Sequence, residues 1–201
     1  MVPFPKPEWI KVRGPELLDG RGSDFDGLVP SGSGIYMWKL AVSSRLPFHS
    51  GKHMVEHIDS RCGSPMGKTQ GNLGNFVEIQ ELTVAGKALT TSKRELLQKR
   101  ANPALRHWMN TFLTSLEDFT PSLYVGEASR LNARVEQHLN LDTKFGVKVD
   151  QEPALSWENL DFHYCVLEDT FGEGDVATQL RRSLEWIATM TSVSGYVERA
   201  G

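Results

Sequence analysis

Leu123-Tyr124-Val125-Gly126-Glu127-Ala128-Ser129-Arg130-Leu131-Asn132-Ala133-Arg134-Val135-Glu136-Gln137-His138-Leu139 is the stretch whose reading decides the fold. It opens as a short apolar strand that ends in glycine. Ser129 is placed to cap a helix running to about Asn140. Leu131, Val135 and Leu139 recur every four residues and form an apolar stripe. Arg134 and His138, also four apart, project from one side of the same helix. A helix packed through that stripe presents both at the edge of the sheet from which the strand comes.

Upstream, the turn cluster Ser31-Gly32-Ser33-Gly34 leads into a strand over residues 35–42, with Ile35, Tyr36 and Trp38 at its start. Residues 1–30, with three prolines in the first seven, read as an arm packed across the domain. Residues 43–75 read as loop, 76–82 as an alternating strand. A helical stretch over 92–116 is capped by Ser92 and broken by Pro103. In it Leu96 and Leu97 face inward, with Leu105, Trp108, Met109, Phe112 and Leu113 at helical spacing. Residues 141–157 read as irregular. Leu160 to Glu168 is the clearest strand, with Phe162, Tyr164 and Val166 on one face. Gly172 and Gly174 form a turn. A helix from about Asp175 to Met190 then carries the stripe Val176, Leu180, Leu184 and Ile187.

The length of 201 residues suits one domain with elaborations. No apolar run approaches the roughly 20 residues a membrane helix needs, and the N-terminus has no apolar signal core. Both features, with two distant cysteines, Cys62 and Cys165, lead us to expect a cytoplasmic chain with reduced thiols. The net charge of −3 argues against a nonspecific DNA coat but leaves room for a basic cleft. Gly63-Ser64-Pro65-Met66-Gly67-Lys68-Thr69 resembles a phosphate loop, but three residues separate its glycines where four are required. His49, His53 and His57 are spaced by four, yet Ser50-Gly51 interrupts the run and no cysteine pair matches it. A solvated or nucleic-acid-facing loop is the preferred reading.

Taken in order, Gly34-Ile35-Tyr36, Tyr124-Val125-Gly126, Ser129, Leu131, Arg134, His138 and Glu185 resemble the GIY-YIG nuclease superfamily. The resemblance covers residues 33–42, 122–140 and 160–190. It implies an α+β fold, a small antiparallel three-stranded sheet flanked by helices. Here a large insertion, residues 43–120, would separate the first two core strands within one domain over 1–201. It further implies a metal-dependent endonuclease acting on nucleic acid, expected to be DNA. Its site residues would be Tyr36, Tyr124, Arg134, His138 and Glu185. Glu185 would hold a single Mg²⁺ or Mn²⁺, hard cations that suit carboxylate oxygen. Arg134 would grip phosphate with its forked guanidinium, and His138 would bond phosphate or relay a proton. Tyr36 would act as general base with Tyr124 as partner, and Lys39 is one candidate for easing its ionisation. Half-ionising a phenol of pKa about 10 at pH 7 needs roughly 4 kcal/mol.

The chain departs from the family at three places. Nearly ninety residues separate Tyr36 from Tyr124, the segment after Thr191 has neither proline nor asparagine, and position 127 is Glu. Ser192, Ser194 or Tyr196 are candidates to replace the missing closing contact. Alone, each tyrosine is equally an ordinary sheet residue, and Glu185 equally a surface partner of Arg181. The alternative reading is therefore a GIY-YIG-fold binding or interaction module that has lost efficient cleavage. A homodimer is one way for such a site to cut both strands.

Overall fold

The computed structural model describes residues 6–21, 25–62, 68–73, 77–83, 89–120, 122–152, 155–167 and 174–191, with side chains described for these except 61–88, 190 and 191. Two compact units emerge: Met1–Lys39 with Pro121–Gly201, and Leu40–Thr120. The phosphate-loop look-alike Gly63–Gly67, the start of the second strand at Phe76, the turn at Gly172 and the tail beyond Thr191 lie outside the described residues. So does the side chain of Cys62.

The first unit is built on β1 (Ile10–Arg13), β2 (Gly34–Leu40), β5 (Ser122–Ala128) and β6 (Leu160–Val166), in the order β1-β6-β2-β5. β1 pairs antiparallel with β6, and β2 with β5. The Leu167 amide donates to the Ser33 carbonyl, so the end of β6 meets the start of β2 and these run oppositely too. The class is α+β with an antiparallel sheet, as expected, but with four strands instead of three. The extra edge comes from the N-terminal arm. Lys11 of β1 reaches the buried Asp161 of β6 at 3.1 Å, an ion pair that fixes the arm to the sheet. After β1 the arm continues in the short helices α1 (Gly14–Asp19) and α2 (Phe25–Leu28).

Both faces of the sheet are covered, as the near-continuous burial of β2 and β6 requires. On one face Tyr36, Trp38 and Phe162 pack with Phe145, Trp157 and His138, their ring centroids 4.9–6.3 Å apart where they touch. These partners come from α6 (Leu131–Leu139), α7 (Lys144–Gln151) and the turn before β6. On the other face Ile35, Val125, Cys165 and Leu167 pack with Leu184 and Ala188 of α8 (Asp175–Thr191).

Three local readings are corrected here. First, α6 starts at Leu131 and Ser129 does not cap it. The Leu131 and Asn132 amides donate instead to the carbonyls of Gly32 and Pro30, at 3.0 and 3.3 Å, so backbone from a distant loop replaces the side-chain cap. Second, residues 144–151 are helical. Thr143 caps α7 by accepting the Gly146 amide at 3.0 Å. Third, α8 does not bury the stripe Val176, Leu180, Leu184 and Ile187. Val176, Leu180 and Ile187 are exposed, and the helix docks through Ala177, Arg181, Leu184 and Ala188. Two alanines permit close approach, and Arg181, buried at 7% exposure, reaches Glu127 of β5 at 3.6 Å. That charge pairing outweighs the apolar stripe.

The second unit contains α3 (Gly51–Cys62), the hairpin β3 (Lys68–Leu73) and β4 (Val77–Thr83), α4 (Thr91–Arg100) and α5 (Pro103–Leu116). Here the loop expected over 43–75 gives way to α3 and β3. Ser50 caps α3, its hydroxyl accepting the His53 amide at 3.1 Å. The break at Pro103 is present; its helix is capped by Asn102, while α4 starts at Thr91 after Thr90. Phe48, Met54, Val55 and Leu113 form the core. Leu96, Trp108 and Phe112 are exposed instead of inward. α5 is buried along Met109 and Leu113, and Trp108 and Phe112, one residue earlier on each turn, stack on each other at 5.3 Å.

Candidate active site

Alternation along β2 puts Tyr36 on the face that α6 and α7 cover, and Tyr36 stands opposite Gly126 in β5. Tyr124, two residues before Gly126, is its diagonal neighbour, with ring centroids 6.0 Å apart. The glycine is a steric requirement. A Cβ at 126 would lie 2.5 Å from the Tyr36 hydroxyl oxygen, so the phenol occupies the space a side chain would need. Tyr36 is 1% exposed, whereas Tyr124 is half-buried.

The stripe Leu131, Val135 and Leu139 is buried and seats α6 on the sheet. His138 is thereby driven in with it, to 1% exposure. Its Nε2 lies 2.8 Å from the Tyr36 hydroxyl and its Nδ1 2.6 Å from the Thr143 hydroxyl. Thr143 is brought back under His138 by a tight α6–α7 connection. The Asp142 amide donates to Gln137 O and the Leu141 amide to His138 O, at 2.9 and 3.1 Å, the two bonds of a Schellman closure. The left-handed position is held by Leu141, at φ 64°. Gly146 leaves room for the His138 carbonyl where a Cβ would collide.

Arg134, one turn before His138, is half-buried. It donates to Gln137 at 3.0 Å and has no carboxylate within ion-pair distance among the described residues. Its charge acts on Tyr36, His138 and Glu185 alike. Glu185 is half-buried on α8, beside the docking residues Arg181, Leu184 and Ala188. Tyr36, Tyr124 and His138 are thus in ring contact, Arg134 sits one turn away on α6, and Glu185, on the helix that covers the other face of the sheet, is linked electrostatically to Tyr36 and Arg134. Lys39, three residues beyond Tyr36 and past a register shift, is out of phase with it along β2.

The titratable groups are strongly biased. Burial lowers His138 to about 3, and Arg134 adds to this, so the imidazole is neutral. Burial, then the neighbouring Tyr124 and hydrogen bonding to it, push the Tyr36 phenol well above its ordinary value against the pull of Arg134. The lowered imidazole and the raised phenol both disfavour proton transfer from Tyr36 to His138. His138 therefore acts as a neutral hydrogen-bond partner in the resting site, not as a standing base. Burial and then the Glu127 carboxylate raise the Glu185 carboxyl, opposed by Arg182 and Arg134.

Glu127, where a basic residue was expected from the resemblance, is held by Arg181 at 3.6 Å and Arg182 at 4.0 Å. The alternative reading of Glu185 as a surface partner of Arg181 is not met, because the arginine pairs with Glu127. Thr143 was missed altogether. Its only signal in the sequence is a threonine followed by Phe145 and Val149 at helical spacing. Among the described residues no group of three or more His, Cys, Asp or Glu side chains is arranged to hold a metal. In the second unit His49 and His53 stack at 4.1 Å, and His57 lies 3.1 Å from the Val42 carbonyl, to which its Nε2 donates. Cys165 is a free, buried thiol. No described helix is long and apolar enough to cross a membrane. No family model, curated protein or solved structure matches this chain.

Proposed function

We propose that this chain belongs to the GIY-YIG nuclease superfamily and hydrolyses phosphodiester bonds in nucleic acid, with DNA as substrate. The observation that carries the reading is convergence. Two tyrosines from paired strands touch a histidine that shares a helix with an arginine, and that arginine and a glutamate from another helix both act electrostatically on Tyr36, in the chain order of that family. Arg134, without a carboxylate partner among the described residues, is a charge available to phosphate oxygens. The insert carries ten Lys and Arg against seven Asp and Glu in an otherwise acidic chain, which favours contact with a polyanion. A cytoplasmic location fits a chain whose described cysteine is a free thiol.

The donor set at Glu185 fits a hard divalent cation, because one carboxylate completed by water and phosphate oxygens is a usual Mg²⁺ environment. Its raised carboxyl, beside Glu127, marks a place short of positive charge. When bound, such an ion would offset charge on the phosphate and leaving oxygen. The chain's own residues do the rest. Arg134 orients the phosphate. Tyr124, half-buried, is the phenol that meets water, while Tyr36 stands behind it, shielded and bonded to His138. As the water oxygen bonds to phosphorus and the ester oxygen leaves, Tyr124 takes the water proton as the phenolate, at a cost of roughly 4 kcal/mol for an ordinary phenol at pH 7, and the leaving oxygen is protonated from solvent. Prior ionisation of Tyr36 would cost more than about 4 kcal/mol at pH 7.

The test is Mg²⁺-dependent cleavage of plasmid and of linear DNA by wild type, Glu185→Ala and Tyr124→Phe. Wild-type cleavage lost by at least about 100-fold in both variants is expected, from loss of charge stabilisation or proton transfer. Equal cleavage by all three would sink the assignment as contamination. Binding without cleavage would favour the interaction-module reading.

A further inference from the structure

Tyr36, His138 and Thr143 form one hydrogen-bonded chain, from a buried phenol beside Tyr124 through a buried imidazole to the N-cap of α7. Heavy-atom positions permit two polarities of such a chain, set by which ring nitrogen of His138 carries the proton. We infer that Thr143 is a positioning residue: it holds His138 as the Nδ1–H tautomer, so that Tyr36 donates to Nε2.

Two features support that direction. The Thr143 oxygen accepts the Gly146 amide as the α7 cap and has a second lone pair for a ring N–H 2.6 Å away. Acidity also orders the donors. A phenol is a far stronger donor than an aliphatic hydroxyl, and the aliphatic oxygen is the better acceptor, so Tyr36 O–H belongs on Nε2 and Nδ1–H on Thr143. The opposite tautomer would make Tyr36 an acceptor from His138. The Schellman closure at Leu141 is what makes the contact, because it returns the chain to His138 five residues on.

The consequence for hydrolysis rests on the reading of the tyrosine pair given above, but the tautomer is measured without it. Long-range ¹⁵N–¹H NMR of ¹⁵N-histidine protein reports which His138 nitrogen is protonated. We expect Nδ1–H in wild type and in Thr143→Ser, and loss of the Nδ1–H majority in Thr143→Val. Nε2–H in wild type, or an unchanged Nδ1–H majority in Thr143→Val, would overturn the proposal. In any protein that cleaves DNA, Thr143→Val should lower kcat at little change in KM and Thr143→Ser should restore it. Equal loss in both variants would mean Thr143 acts only through folding. A failure of cleavage in wild type leaves the tautomer result standing and strikes only the functional reading.

Discussion

Lowering the pH from 7 to 5 should cost the first unit roughly 2 kcal/mol through His138 alone. An unfolded histidine titrates near 6.5, while the folded imidazole, buried and beside Arg134, stays neutral down to about 3. The folded state therefore binds fewer protons across this window. The stability His138 contributes is complete above pH 6.5, falls as pH drops, and stops falling once the folded group itself protonates near 3. Over the two units from pH 7 to 5, protonation of the unfolded side chain favours unfolding by about 1.9 kcal/mol. The total at pH 3 is about 4 kcal/mol, a large share of a typical domain's stability. Urea titrations read it. Trp108 is the one tryptophan in Leu40–Thr120, so a Trp108→Phe background makes fluorescence report Trp9, Trp38, Trp157 and Trp186 of the first unit. In that background the protein with His138 should lose roughly 2 kcal/mol more between pH 7 and 5 than His138→Gln. Every other titrating group is common to both. Parallel pH profiles would refute a neutral buried His138.

Two further outcomes follow from backbone geometry. Gly126→Ala, whose Cβ would press on the Tyr36 hydroxyl, should destabilise the first unit by about 1–3 kcal/mol and break the Tyr36–His138 bond, seen as loss of the fixed His138 tautomer by NMR; wild-type stability in that variant would show that the strands part freely there. Leu141→Gly, which relieves a left-handed leucine at an exposed turn, should raise the urea midpoint by an amount worth roughly 1 kcal/mol; a lower midpoint would mean the leucine side chain holds the turn.

The sheet was legible wherever apolar alternation ran along a strand, as in β2 and β6, because one face or both had to be buried. The order Tyr36, Tyr124, Arg134, His138, Glu185 was legible as a pattern along the chain, and the α6 stripe gave the reason for placing Arg134 and His138 together. What escaped were features set by distant partners. The cap of α6 is made by Gly32 and Pro30, a hundred residues upstream, so Ser129 looked like the natural choice. The face of α8 was misjudged because a buried Arg181–Glu127 pair decided it, against hydropathy. Thr143 became visible only once Leu141 closed the turn. Gly146, which reads as a loop residue, sits in a helix because the His138 carbonyl needs its space.

Lys39 and Ser122 are register partners across the β2–β5 ladder, although the whole of Leu40–Thr120 lies between them in the chain. Closing an unstructured loop of about 80 residues costs about 3 kcal/mol more than closing a two-residue hairpin. A folded insert whose ends leave side by side removes most of that penalty in advance. The insert is thus an entropic clasp on the tyrosine pair. Mutations that melt it weaken the β2–β5 pairing without touching a single residue of the site, and ligands that tighten it strengthen that pairing by the same linkage.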